Sequence, residues 1–174
     1  MASAVSVNGQ TFLLTSSSAI KDKDKQEKLI FKRYSRKHFG HYTVKASFFG
    51  EFEEFTFLRI NDTVEGNGKN FDIHRLNLEL PPSESQNVLT SPCALEKAKF
   101  DLKINCDGNI RKIELSDKSI EETSILGAPI IVEQSGQFSV IGVVGWTSEE
   151  TLCPCYWNKN TLGEFSLVCT HSFI

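Results

Sequence analysis

Near the end of the sequence, Cys153-Pro154-Cys155 and Cys169-Thr170-His171 supply three thiols and an imidazole. Within each pair the members are two positions apart, so on a β-strand they share a face. Four such ligands on adjacent strands could close a tetrahedral zinc site. The spacing is unlike the usual cysteine knuckle. Thiols buried in a terminal hairpin are the competing reading, because free cysteine is among the most buried residue types. A Cys153–Cys155 or Cys155–Cys169 disulfide is a third reading, disfavoured in a reducing compartment.

A second cluster is electrostatic. Residues 21–37 hold eight basic and three acidic side chains, while the rest of the chain is acidic. Lys32, Arg33, Arg36 and Lys37 interleave with Phe31, Tyr34 and Phe39. Aromatics among cations can stack bases and neutralise phosphates, which makes nucleic acid or another anion a candidate partner. A solvated loop that balances an acidic body is the competing reading. The overall pI near 5.8 argues against a dedicated nucleic-acid protein.

The elements that would carry these groups are strands. Asn8-Gly9 separates two short β-branched runs, the strongest local hairpin signal. Period-2 alternation recurs at 42–49, 54–60 and 71–80, and 100–105 and 110–115 flank Asp107-Gly108. Ile130–Val132 and Phe138–Val144 flank a polar turn, and 164–170 reads as a last strand. Pro81-Pro82 stops a strand and opens a polar stretch, the best linker candidate. Short strands at regular spacing predict an all-β sandwich or barrel. Thirteen Phe against one Met predict a core of aromatic and β-branched side chains.

No stretch reaches the roughly 20 apolar residues that span a bilayer as a helix. Met1-Ala-Ser-Ala-Val5 lacks a basic n-region and a long apolar run, so no signal peptide and no membrane association are expected. Five cysteines without a signal peptide favour an intracellular setting, cytoplasmic or nuclear. A domain within a larger polypeptide is expected.

Three pieces, in order, resemble the chymotrypsin-like serine peptidases, above all their lean intracellular branch. Phe12-Leu-Leu-Thr-Ser-Ser-Ser18-Ala-Ile20 resembles the segment that carries the catalytic histidine. Phe71-Asp72-Ile-His74-Arg-Leu76 resembles the segment of the aspartate. Leu126-Gly-Ala-Pro-Ile-Ile131 resembles the nucleophile turn, and Val140-Ile-Gly-Val-Val-Gly-Trp146 the strand that pairs with substrate backbone. The resemblance implies two antiparallel β-barrels: residues 1–80 with a basic loop at 21–37, a linker at 81–99, and residues 100–174.

It also implies lost chemistry. The mechanism needs a nucleophile, an imidazole that touches it, and a carboxylate that orients the imidazole. The base position holds Ser18 and the nucleophile position Leu126; only Asp72 survives. The oxyanion-hole amides map to Ser124 and Leu126. The expectation is therefore an inactive peptidase homologue, a pseudoprotease without cofactor. Its protein or peptide partner would contact Ser124, Val144, Gly145, Trp146 and the basic residues Lys32, Arg33, Arg36 and Lys37. A hydrolase rearranged around Ser124 or His74 is the alternative, along with an anion-binding module.

Overall fold

Alternating apolar residues cannot bury one face in isolation, and here they do so by forming two sheets. The computed structural model describes residues 1–7, 10–35, 40–64, 77–81, 86–90, 100–107, 110–116, 118–119, 121–159 and 165–166. The first sheet uses β1 (Ser3–Val7), β2 (Gln10–Ser16), β3 (Leu29–Ser35), β4 (Gly40–Phe52) and β5 (Phe55–Val64). The second uses β6 (Asn77–Leu78), β7 (Gln86–Thr90), β8 (Phe100–Asp107), β9 (Ile110–Leu115), β10 (Pro129–Gln134), β11 (Gln137–Trp146) and β12 (Leu152–Tyr156). A last strand, β13 (Phe165–Ser166), returns to the first sheet beside β1. Strand order is β13-β1-β2-β5-β4-β3 in one sheet and β12-β11-β10-β7-β8-β9 in the other, with β6 parallel to β11. The protein is thus all-β.

The second sheet is strongly curled. Its two end strands approach each other, with the Arg111 guanidinium of β9 4.6 Å above the Tyr156 ring of β12. A bulge contributes to the bend: β11 pairs Gly142 with Ile130 and Val140 with Ile131, which leaves Ile141 as an extra residue. The bulge also shifts the phase of β11, so Val140 and Val143 face one core while Ile141 and Val144 face the other.

Among the described residues, three cores follow from these faces. Leu13, Phe31, Val44, Ala46 and Leu58 pack with Ala2 inside the first sheet. Ile104, Ile113, Ile125, Ile130 and Ile141 centre the core of the second. Between the sheets lie Val5, Phe12, Leu14 and Phe55 from one side and Val140, Val143, Cys155 and Trp157 from the other. β2 is buried on both faces, because Leu13 points to the first core and Phe12 and Leu14 to the shared one. Trp157 is fully buried there; its Nε1–H donates to Val140 O at 2.9 Å and its ring centroid lies 4.9 Å from that of Phe55.

The segmentation differs from the sequence reading in three places. Residues 21–37 are not one exposed loop: after a single 3-10 turn at Asp24–Gln26, residues 29–35 pair with β4. Phe31 is buried and Ile30 is exposed, as on an alternating strand. The stretch 81–99 is not wholly linker, because β7 lies between β8 and β10 with Val88 in the core. Finally, β6 joins the second sheet and β13 the first, so each sheet borrows a strand from the other half of the chain.

Candidate functional site

The end of β11 gathers segments far apart in sequence. Val144 N–H donates to Ala128 O at 2.9 Å, and Gly127 N–H donates to Val144 O at 2.8 Å. These bonds clamp the turn after Leu126 against β11. From the first sheet, the 3-10 turn Ser17–Ala19 presents Ser18, whose Oγ accepts the Trp146 N–H at 2.9 Å. Ser16 Oγ lies 2.5 Å from Ser18 Oγ. Ser17 turns the other way, with its hydroxyl 3.0 Å from that of Thr56.

Gly145 is the centre of this cluster. A Cβ built there would lie 2.4 Å from Cys155 Sγ and 3.4 Å from both Ser16 Oγ and Ser18 Oγ. Two hydroxyls and a thiol thus occupy the space a side chain would need. On β12, Cys155 pairs with Val143 and Cys153 with Gly145. The neighbouring Cys155 thiol draws the Cys153 thiol below its ordinary pKa. Cys155 is pushed far up by the same neighbour, with burial and the charge of Glu54 adding to the rise.

The turn before β10 is held from below. Leu126 O accepts from the Met1 amine at 2.7 Å, and Thr15 Oγ1 donates to Met1 O at 2.6 Å. Burial lowers the Met1 amine pKa from 8.0 to about 6. Gly127 has φ +81°, the left-handed region, and a Cβ on it would fall 2.1 Å from both Met1 O and Thr15 Oγ1.

The amides expected to face a substrate are engaged within their own turn. Residues Glu122–Ile125 form a 3-10 turn in which Ser124 N–H donates to Glu121 O at 3.0 Å and Leu126 N–H to Thr123 O at 3.5 Å. Ser124 is exposed, and its Oγ donates to Glu121 O at 2.6 Å. The Leu126 side chain is half-buried against the core of the second sheet.

Of the residues singled out from sequence, Ser18, Leu126, Val144, Gly145 and Trp146 meet along the end of β11. Lys32 and Arg33 fall on β3, at the edge of the first sheet. Asp72, His74, Arg36, Lys37, Cys169 and His171 lie outside the described residues. Sequence reasoning missed Met1, Thr15 and Ser16; the run Thr15-Ser-Ser-Ser18 was the available signal, since consecutive hydroxyls at a strand end can satisfy a neighbouring strand's amides.

No protein-family model matches the chain, and no curated protein matches it either.

Proposed function

We propose that this chain is an inactive homologue of the chymotrypsin-like serine peptidases, a double β-barrel that holds a protein or peptide segment without cutting it. The observation that carries the reading is the fate of the two amides at the nucleophile turn. An oxyanion hole needs preorganised donors aimed at developing charge. At Ser124 and Leu126 both N–H groups are directed instead to Glu121 O and Thr123 O. Ser18, at the base position, serves as acceptor for a strand amide, and a serine hydroxyl does not take up a proton near neutral pH. Leu126 offers no nucleophile. What persists is a strand end, Val144–Trp146, flanked by polar groups on one side and the Leu126 turn on the other. Because Val144 is bonded to Ala128 and Gly127, and the Trp146 N–H to Ser18, a peptide would engage the side chains around this strand end, Trp146 among them, rather than add as a further strand. An intracellular scaffold role within a larger polypeptide fits this reading.

The test has two arms. A fluorophosphonate probe should leave the protein unlabelled. The double variant Ser18→His with Leu126→Ser should also stay unlabelled, because the amides would still be spent within the turn. In the second arm, peptides selected from a displayed library should bind the wild type and lose binding on Trp146→Ala. Covalent labelling of the wild type that disappears on Ser18→Ala or Ser124→Ala would establish a rearranged hydrolase and sink the proposal.

A further inference from the structure

One face of the first sheet is only partly covered. Phe12 and Leu14 of β2 and Phe55 of β5 turn it toward the second sheet. Arg59 pairs with Phe12, and Ser47 with Arg59, so the same face continues across β5 and β4. On β3 it continues at Ile30, which pairs with Lys45, because Leu29 and Phe31 on either side pack on the first core.

Two bulges shape this open part. Between the Leu58 and Phe57 partners β4 carries an extra residue, Phe49, and between the Lys45 and Ala46 partners β5 carries Asn61. A bulge re-aims the extra side chain. The Phe49 ring packs on Phe12 with centroids 4.9 Å apart, and the Arg59 guanidinium lies 4.6 Å above it. Asn61 donates from its side-chain amide to Ser47 Oγ at 3.0 Å. The stack ties the open face to the shared core and orients the guanidinium, yet Arg59 stays exposed.

Ile30 is 59% exposed and Phe49 50%, the two most exposed large hydrophobic side chains among the described residues. Singly, such side chains are ordinary on a protein surface. Here both share a face with two cations, Lys45 and Arg59, and neither cation is ion-paired among the described residues. From Lys45 to Phe49 the face runs roughly 13 Å along β4, the reach of about four or five extended residues.

Charge and ring geometry select the occupant. A second copy in two-fold contact would set Lys45 and Arg59 against their own kind. A nucleic acid would need an open aromatic ring for its bases, whereas the Phe49 ring is taken up by Arg59 and Phe12 and Ile30 is aliphatic. A polypeptide that mixes carboxylates with apolar side chains answers both features. Its carboxylates accept from the Arg59 fork and pair with Lys45, and its apolar groups cover Ile30 and Phe49.

We propose that the face formed by Ile30, Lys45, Phe49 and Arg59 docks an acidic segment of a partner protein that also carries apolar side chains. This face shares no residue with the strand end at Val144–Trp146 and does not rest on the reading above.

The probe is a displayed library of random peptides, selected on the wild-type chain at low salt. Enriched peptides should carry Asp or Glu beside apolar residues. Synthetic copies, followed by fluorescence anisotropy, should bind more weakly as salt is added. Their binding should fall about tenfold or more on Arg59→Glu, as loss of a charge-assisted contact requires. Ile30→Ser changes the most exposed position without touching the aromatic stack and should weaken binding as well, so a folding defect in the first variant does not decide the outcome. Far-ultraviolet circular dichroism checks the fold of both. Peptides that depend on Trp146 but not on Arg59 or Ile30 belong to the strand end, and a library that yields only those overturns the docking face. Enriched peptides without acidic residues, Arg59-dependent binding of a short oligothymidylate, or an Arg59-dependent dimer in sedimentation would overturn it too.

Discussion

Replacing single glycines by alanine separates two costs that coincide at the turn after Leu126. Gly50 has an ordinary φ and open space around a built Cβ. Gly136 has φ +77° and equally open space. Gly127 has φ +81° and a Cβ position 2.1 Å from Met1 O and Thr15 Oγ1. Gly50→Ala should leave stability within about 0.5 kcal/mol of wild type. Gly136→Ala should cost about 1–2 kcal/mol, the left-handed penalty for an L side chain alone. Gly127→Ala carries the same penalty, and the Met1 carbonyl must also move. That displacement breaks the Thr15–Met1 and Met1–Leu126 hydrogen bonds, worth about 1 kcal/mol each. The total is about 3–4 kcal/mol. With a urea m-value of about 2 kcal/mol/M, the unfolding midpoint should fall by about 2 M. Equilibrium urea unfolding followed by tryptophan fluorescence measures all three. If Gly127→Ala lay within 1 kcal/mol of Gly136→Ala, the clamp between Met1, Thr15 and Leu126 would not exist as described, and the packing of this turn would need another explanation.

Three further outcomes follow from the same contacts. Ser18→Ala should cost only about 0.5–1 kcal/mol, because the Trp146 N–H it releases lies where water can replace the hydroxyl; a larger loss in urea melts would mean that the bond is shielded. Trp157→Phe should cost about 1–3 kcal/mol, since it removes the indole bond to the Val140 carbonyl, which keeps the Glu79 N–H, and leaves a void among Val5, Phe55 and Val143; thermal unfolding by circular dichroism reads the loss. In a chain that carries a free Met1 amine, the folded-state pKa of about 6 lies below the ordinary 8.0. The unfolded state therefore binds more protons between these values, and stability is full above pH 8 and falls as pH drops toward 6, by up to about 2–3 kcal/mol. Unfolding midpoints across that range should decline for the free amine and stay flat, for this group, in an amino-acetylated chain.

Much of the strand pattern was legible. The alternation at 42–49, 54–60, 100–105 and 110–115 reports a local period that needs no knowledge of partners, and β4, β5, β8 and β9 lie over those stretches. The run 130–144 likewise became β10 and β11 around a turn at Ser135-Gly136, both with positive φ. Residues 29–35 and 86–90 were harder, for different reasons. In the first, lysine and arginine conceal the burial of Phe31. In the second, Gln86-Asn87 and Thr90 hide Val88, which is buried only because β8 and β10 lie on either side.

The sequence by itself determined an all-β chain, the cysteine pair on one strand face, and the residue types at Ser18 and Leu126. Those are properties of residue type and local period, which act over a few residues. Tertiary structure decided what the hydroxyls and amides do. Ser18 became an acceptor because β11 brings the Trp146 N–H to it across 128 positions of chain. Gly145 is a glycine whose Cβ space is filled by Ser16, Ser18 and Cys155, from both sheets. The Ser124 and Leu126 amides satisfy their own turn because Glu122–Ile125 closes as a 3-10 turn above a buried Ile125. Each of these rests on pairing between distant segments, and a local period carries no information about which distant segment supplies the partner.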